Sequence, residues 1–136
     1  MSASKGSNPT VVYISGDITP SSRIYIGSNK SVIGLGAGAK ILKYGLNLSS
    51  VSNVIIRNLN IGDIKGNDAI TISESTRVWI DHNEFHSNIT QGPDYYDGQV
   101  DIVHASDYIT ISWNYFHDHW KVSEPTLSKL LYLTHT

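Results

Sequence analysis

Three aspartates carry the clearest chemistry in this chain. Asp68, Asp97 and Asp101 lie in or just before two short β-type segments, 69–72 and 100–103. If Ile70 is set against Val100 and Ile72 against Ile102, Asp101 falls beside Thr71. Asp68 then falls beside Gly98, one step from Asp97. Parallel strands lie ~4.8 Å apart and residues rise ~3.3 Å each, so this register brings the three carboxylates near one another on an outward face. Carboxylates gathered without cysteine or a paired histidine suit a hard cation. Calcium accepts six to eight oxygen ligands at ~2.3–2.6 Å in loose geometry. Solvated acidic turns are the plainer alternative, and the turn-rich segment 92–98 suits either. His82, His86, His104, His117 and His119 also invite a metal or acid–base reading, with His117 and His119 two apart and so on one strand face.

The elements that must position these residues are short β-branched runs broken by Gly, Ser, Asn and Asp, with almost no helical periodicity before residue 123. They repeat. Val54, Val78 and Ile109 share one position of the repeat, Ile56, Ile80 and Ile111 a second, and Ile61, Phe85 and Phe116 a third. An earlier, weaker copy is expected to start at Val32, 22 residues before Val54. Periods of this size, with strands and no helix between them, predict a solenoid whose coils bury one continuous apolar column. The expectation is an all-β chain, a right-handed parallel β-helix of about five coils. Asn83 and Asn114 share one turn position and are expected to form a ladder that bonds unpaired backbone groups. Trp79 and Trp113 fall out of register and are expected to pack near coil corners.

Composition narrows the function classes. The chain has 136 residues, no cysteine, 10 Lys+Arg and 12 Asp+Glu, and a net charge of −2. Disulfide frameworks, thiolate zinc sites and cysteine nucleophiles are excluded. No basic excess points to nucleic acid, and no apolar run approaches the ~20 residues of a membrane span. The opening residues MSASKGSNPT show no signal-peptide pattern.

Several motifs together resemble one family. They are Val78-Trp-Ile-Asp-His82, Tyr96-Asp-Gly-Gln-Val-Asp-Ile102, Ser106-Asp-Tyr-Ile-Thr-Ile-Ser112 and Phe116-His-Asp-His-Trp-Lys121. In order and spacing they resemble the core of the pectate lyases, with a fungal flavour, over about residues 9–122. The resemblance implies a parallel β-helix and calcium-dependent β-elimination of polygalacturonate by a secreted enzyme, and a monomer is expected. It implies that Asp97 and Asp101 are calcium ligands, with Asp68 of Gly66-Asn-Asp-Ala-Ile70 as the third. It implies that Lys121 contacts the substrate carboxylate. It also implies a structural role for the Trp-Ile-Asp-His motif, with side chains bonding between coils.

Two departures matter. Members often carry another acidic residue two positions before the third ligand, where this chain has Gly66. The family's proton-abstracting base is an arginine in a coil after the lysine, whereas the arginines here are Arg23, Arg57 and Arg77. After Val122 the chain no longer resembles the next coil. Leu127, Leu130 and Leu131 have helical spacing there, so residues 123–136 are expected to be a divergent tail that caps the solenoid or a remnant. Residues 1–8 are expected to be poorly ordered. Two readings stand side by side. One is a pectate lyase; the other is a non-catalytic β-helix fragment that binds calcium and oligogalacturonate. A pectin lyase or a polygalacturonase-like hydrolase fits less well, since the first usually lacks the acidic cluster and the motifs of the second are not visible.

Overall fold

The computed structural model describes residues 5–64, 68–86, 100–117 and 130–135. Alternating apolar and polar residues make strands, and tight left-handed corners fold the strands into coils. In chain order the strands are β1 (Thr10–Ile14), β2 (Asp17–Ile18), β3 (Ile24–Tyr25), β4 (Lys30–Gly34), β5 (Lys40–Leu42), β6 (Leu46–Ser49) and β7 (Ser52–Arg57). Then come β8 (Asn60–Gly62), β9 (Ile70–Ser73), β10 (Thr76–Asp81), β11 (Glu84–His86), β12 (Val100–Val103), β13 (Asp107–His117) and β14 (Leu130–His135). Three parallel rows run along the axis. One is β3-β6-β9-β12, the second β1-β4-β7-β10-β13, and the third β2-β5-β8-β11-β13. The long β13 joins two rows, pairing with β10 through Asp107–Ser112 and with β11 through Tyr115–His117. This is the parallel β-solenoid that the repeat predicts, and no helix occurs among the described residues.

The core is a set of stacked columns. Val54, Val78 and Ile109 align, as do Ile56, Ile80 and Ile111. Ile41, Ile61, Phe85 and Phe116 form another column, in which the two phenylalanine rings stack at 4.9 Å. Nearly all of these side chains are fully buried. Burial of each contributes about 1.5–3 kcal/mol relative to exposure, which is what joins coils far apart in sequence.

The earliest copy is placed differently from the sequence expectation. Lys30, not Val32, pairs with Val54, and Val32 pairs with Ile56. A lysine thus takes an apolar column position and is 1% exposed. Its Nζ donates to the carbonyls of Gly6 (3.3 Å), Ser28 (3.1 Å) and Asn8. A buried ammonium is tolerated because its donors are met.

Polar ladders line two corners. Asn58, His82 and Trp113 hold positive φ at one corner, which lets the chain bend within one residue. Beside them, Asn83 Nδ2 donates to Asn114 Oδ1 (3.1 Å) and to Ile56 O (3.0 Å), and Asn83 Oδ1 accepts from Leu59 N (3.0 Å). Asn114 Nδ2 donates to Ile80 O (2.9 Å). The expected asparagine ladder is present. At the next corner serine hydroxyls play the same part: Ser75 Oγ accepts from Val51 N, and Ser106 Oγ from Ser75 N.

The tail departs from its helical spacing. Residues 130–135 form β14, antiparallel to β13. The bare edge of the last coil offers a full row of backbone donors and acceptors, and satisfying that row outweighs a short helical pattern.

Candidate functional site

The outer face of the β3-β6-β9-β12 row is where the predicted chemistry gathers. Side chains alternate along each strand, so Ile70, Ile72 and Val100 point inward and Thr71 and Asp101 outward. Val100 pairs with Ile70, Asp101 with Thr71 and Ile102 with Ile72, which is the register read from the repeat. Continued down the row, Thr71 aligns with Asn47 and Asn47 with Tyr25. Tyr25, Asn47, Thr71 and Asp101 therefore form one outward polar line. Asp101 is exposed.

Asp68 lies two residues before β9 and is half-buried. Its setting includes a residue that sequence reasoning did not connect to it. Arg23 immediately precedes β3 and reaches across two coils. Its Nη1 donates to the Asp68 carbonyl (3.0 Å), and its Nη2 donates to the Leu46 carbonyl (2.8 Å) and to Thr71 Oγ1 (2.9 Å). Burial pulls the guanidinium below its ordinary pKa, and the nearby Asp68 and Tyr25 oppose that shift. Gly45 clears the way, because a Cβ there would come within 2.6 Å of the Asp68 carbonyl oxygen. The only signal of this in the sequence is parity: Arg23 and Tyr25 flank the inward Ile24.

Asp101 thus stands on the outward line, and Asp68 lies on the neighbouring coil, two residues before β9. Asp97, Lys121 and Gly66 lie outside the described residues, as do Tyr95, Tyr96, His119 and Trp120. Among the described residues no group of three His, Cys, Asp or Glu side chains is close enough to hold a metal ion. The carboxylates of Asp68 and Asp101 fit calcium in kind, as hard oxygen donors.

His82, His86 and His117 lie elsewhere and are bonded within the fold, whereas His104 is exposed. Asp81 is 1% exposed. It accepts from His82 Nδ1 (2.7 Å) and Ser112 Oγ (2.8 Å) and pairs with Arg57 Nε (3.3 Å). Trp79 Nε1 donates to the same Ser112 hydroxyl (2.8 Å). On the third row, His86 Nε2 donates to Asn60 Oδ1 (2.6 Å) and His117 Nε2 to Glu84 Oε1 (2.7 Å), with the two imidazoles stacked at 5.5 Å. Arg57 is held by Asp81, and Arg77 sits at a corner of the second row with φ 55°. Arg23 is the one described arginine on the Asp68–Asp101 face.

Comparison with known proteins agrees with this fold. The family described as "Pectate lyase" matches residues 4–124. The probable pectate lyase A of Aspergillus fumigatus is 47% identical over 116 residues, covering 83% of this chain and 36% of that protein. Pectate lyase A of Aspergillus niger is 43% identical over 125 residues, covering 90% of this chain and 39% of its own length. The chain therefore spans under two-fifths of these relatives. Among solved structures, a pectate lyase from Bacillus sp. N165 in complex with trigalacturonate superposes with a TM-score of 0.80 at 37% identity, over 85% of this chain and 41% of that one. A match over nearly the whole chain, on the same solenoid, means that this chain belongs to the pectate lyase family.

Proposed function

We propose that the Asp68–Asp101 face takes part in calcium-dependent β-elimination of polygalacturonate. The observation that carries this reading is the pairing of Asp101 with Thr71, which brings Asp101 to the face that Asp68 borders. It gains support from the family match and from the trigalacturonate complex of the Bacillus relative. Asp68 and Asp101, with Asp97, would hold the ion. A bound calcium supplies Lewis-acid withdrawal of electron density from the uronate carboxylate. This chain carries a net charge of −2, so an acidic polymer needs added positive charge to stay on this face. Lys121 adds a cation where negative charge develops during the reaction. In the elimination a base takes the C5 proton, a C4–C5 double bond forms, and the C4–O bond breaks with its electron pair leaving on the departing sugar. Action on such a polymer implies an extracellular setting.

The second reading is binding without cleavage, and the arginines favour it. Arg57 is paired with Asp81, and three N–H groups of Arg23 are bonded to protein acceptors. Neither is presented as a proton acceptor. One experiment separates the readings. Polygalacturonate and calcium are added to the chain, with ultraviolet absorbance following unsaturated product and calorimetry following binding. Absorbance that rises with calcium and stops on chelation supports the lyase. Calcium-dependent heat without absorbance supports the binder, and neither signal refutes both.

A further inference from the structure

Arg23 has an unusual position for a charged side chain. It starts on the rung of β3 and ends on the rung of β9, two interstrand gaps away, or roughly 10 Å. The ladder bond from Leu46 N goes to Ala69 O (2.8 Å), so the Asp68 carbonyl lies one residue before the ladder begins. The guanidinium takes that carbonyl. Its other terminal nitrogen holds Thr71 Oγ1, the outward neighbour of Asp101. One planar fork therefore ties the main chain at Asp68 to the side chain beside Asp101. Its charge also lies close enough to Asp68 to interact with it.

We infer that Arg23 is a positioning residue for calcium: its fork fixes the backbone at Asp68 and the hydroxyl of Thr71, and so sets the calcium affinity of this face. The inference rests on the calcium-binding reading above. A flexible metal-ligand backbone loses conformational freedom when the ion arrives, and one already held does not. Groups that orient metal ligands typically contribute about 10–100-fold in affinity. The geometry demands arginine. Lysine brings the same charge as a compact point and lacks the planar fork whose two terminal nitrogens stand apart to meet the Asp68, Leu46 and Thr71 acceptors. Gly45 belongs to the same device, since a side chain there would collide with the carbonyls that the fork and ladder use.

The test is calcium titration by calorimetry, without substrate, on the wild-type chain and on R23K, R23M and T71V. Circular dichroism establishes folding and the thermal midpoint of each. Both Arg23 variants are expected to bind calcium about tenfold more weakly than wild type. T71V removes one acceptor from a surface position and is expected to lose less. Charge compensation alone predicts a different pattern: R23K like wild type and R23M tighter. That pattern overturns the inference, as does a lowered midpoint with unchanged affinity, which marks a purely structural role. If the Arg23 variants do not fold, T71V decides, and wild-type affinity in it overturns the proposal. A wild-type chain that takes up no calcium removes the functional reading itself, and this inference with it.

Discussion

At the residue scale, single polar side chains do the joining that hydrogen-bond ladders do elsewhere. Asn83 is the sharpest case. Its amide nitrogen meets Ile56 O and Asn114 Oδ1, its oxygen meets Leu59 N, and the residue is 3% exposed. Asn83→Ala takes this partner from two buried backbone groups of the neighbouring coil, Ile56 O and Leu59 N, at about 1–3 kcal/mol for each group. We expect a loss of about 2–4 kcal/mol in urea unfolding. Asn83→Asp is expected to cost more. It keeps an oxygen for Leu59 N but puts a buried negative charge against the Ile56 carbonyl. Equal stability of the wild-type and alanine proteins would show that water replaces the amide at this corner. Asn83 was legible from the sequence because its position recurs at Asn114. Arg23 was not, because its acceptors lie 23 to 48 residues away and nothing in the repeat marks them.

At the scale of elements, the repeat was legible where its columns are apolar and obscure where a polar residue enters one. Val54, Val78 and Ile109 announce their column, and the Ile70–Val100 register by itself puts Asp101 beside Thr71. The first copy slipped by two residues because Lys30 stands where the pattern calls for valine. That lysine has a task of its own. It fastens residues 6 to 8 across the first coil, and Gly27 lets the Gly6 backbone approach so closely that a Cβ would collide with it. Lys30→Met keeps the apolar stem but drops the three carbonyl bonds. Since Gly6 and Asn8 are exposed, water takes over part of the loss, and the net cost is about 1–2 kcal/mol. The change should be local. Amide hydrogen exchange is expected to quicken across β1 while β7 and β10 stay protected. Uniform quickening along the chain would mean that the clasp supports the whole solenoid.

At the scale of the molecule, a solenoid has two open ends, and each presents strand edges that can pair with anything extended. The second row ends at β13, and β14 lies along it, with Ile109 opposite His135, Ile111 opposite Leu133 and Tyr115 opposite Leu130. The register shifts between Ile111 and Asn114, where β13 turns the corner between rows. Leucines at helical spacing hid this arrangement, because a strand and a helix both accept a short leucine-rich run and only the unpaired edge of β13 decides between them. Removing residues 130–136 leaves the backbone groups on that side of β13 unpaired, while the columns beneath keep their packing. The shortened chain is therefore expected to fold but to self-associate as concentration rises, with light scattering giving a mass that climbs where the intact chain's does not. A lysine on the outer face of β13, T110K, should reduce that association by placing charge along the exposed edge. A shortened chain whose mass stays constant over the same range would show that β14 is not what keeps this edge from pairing.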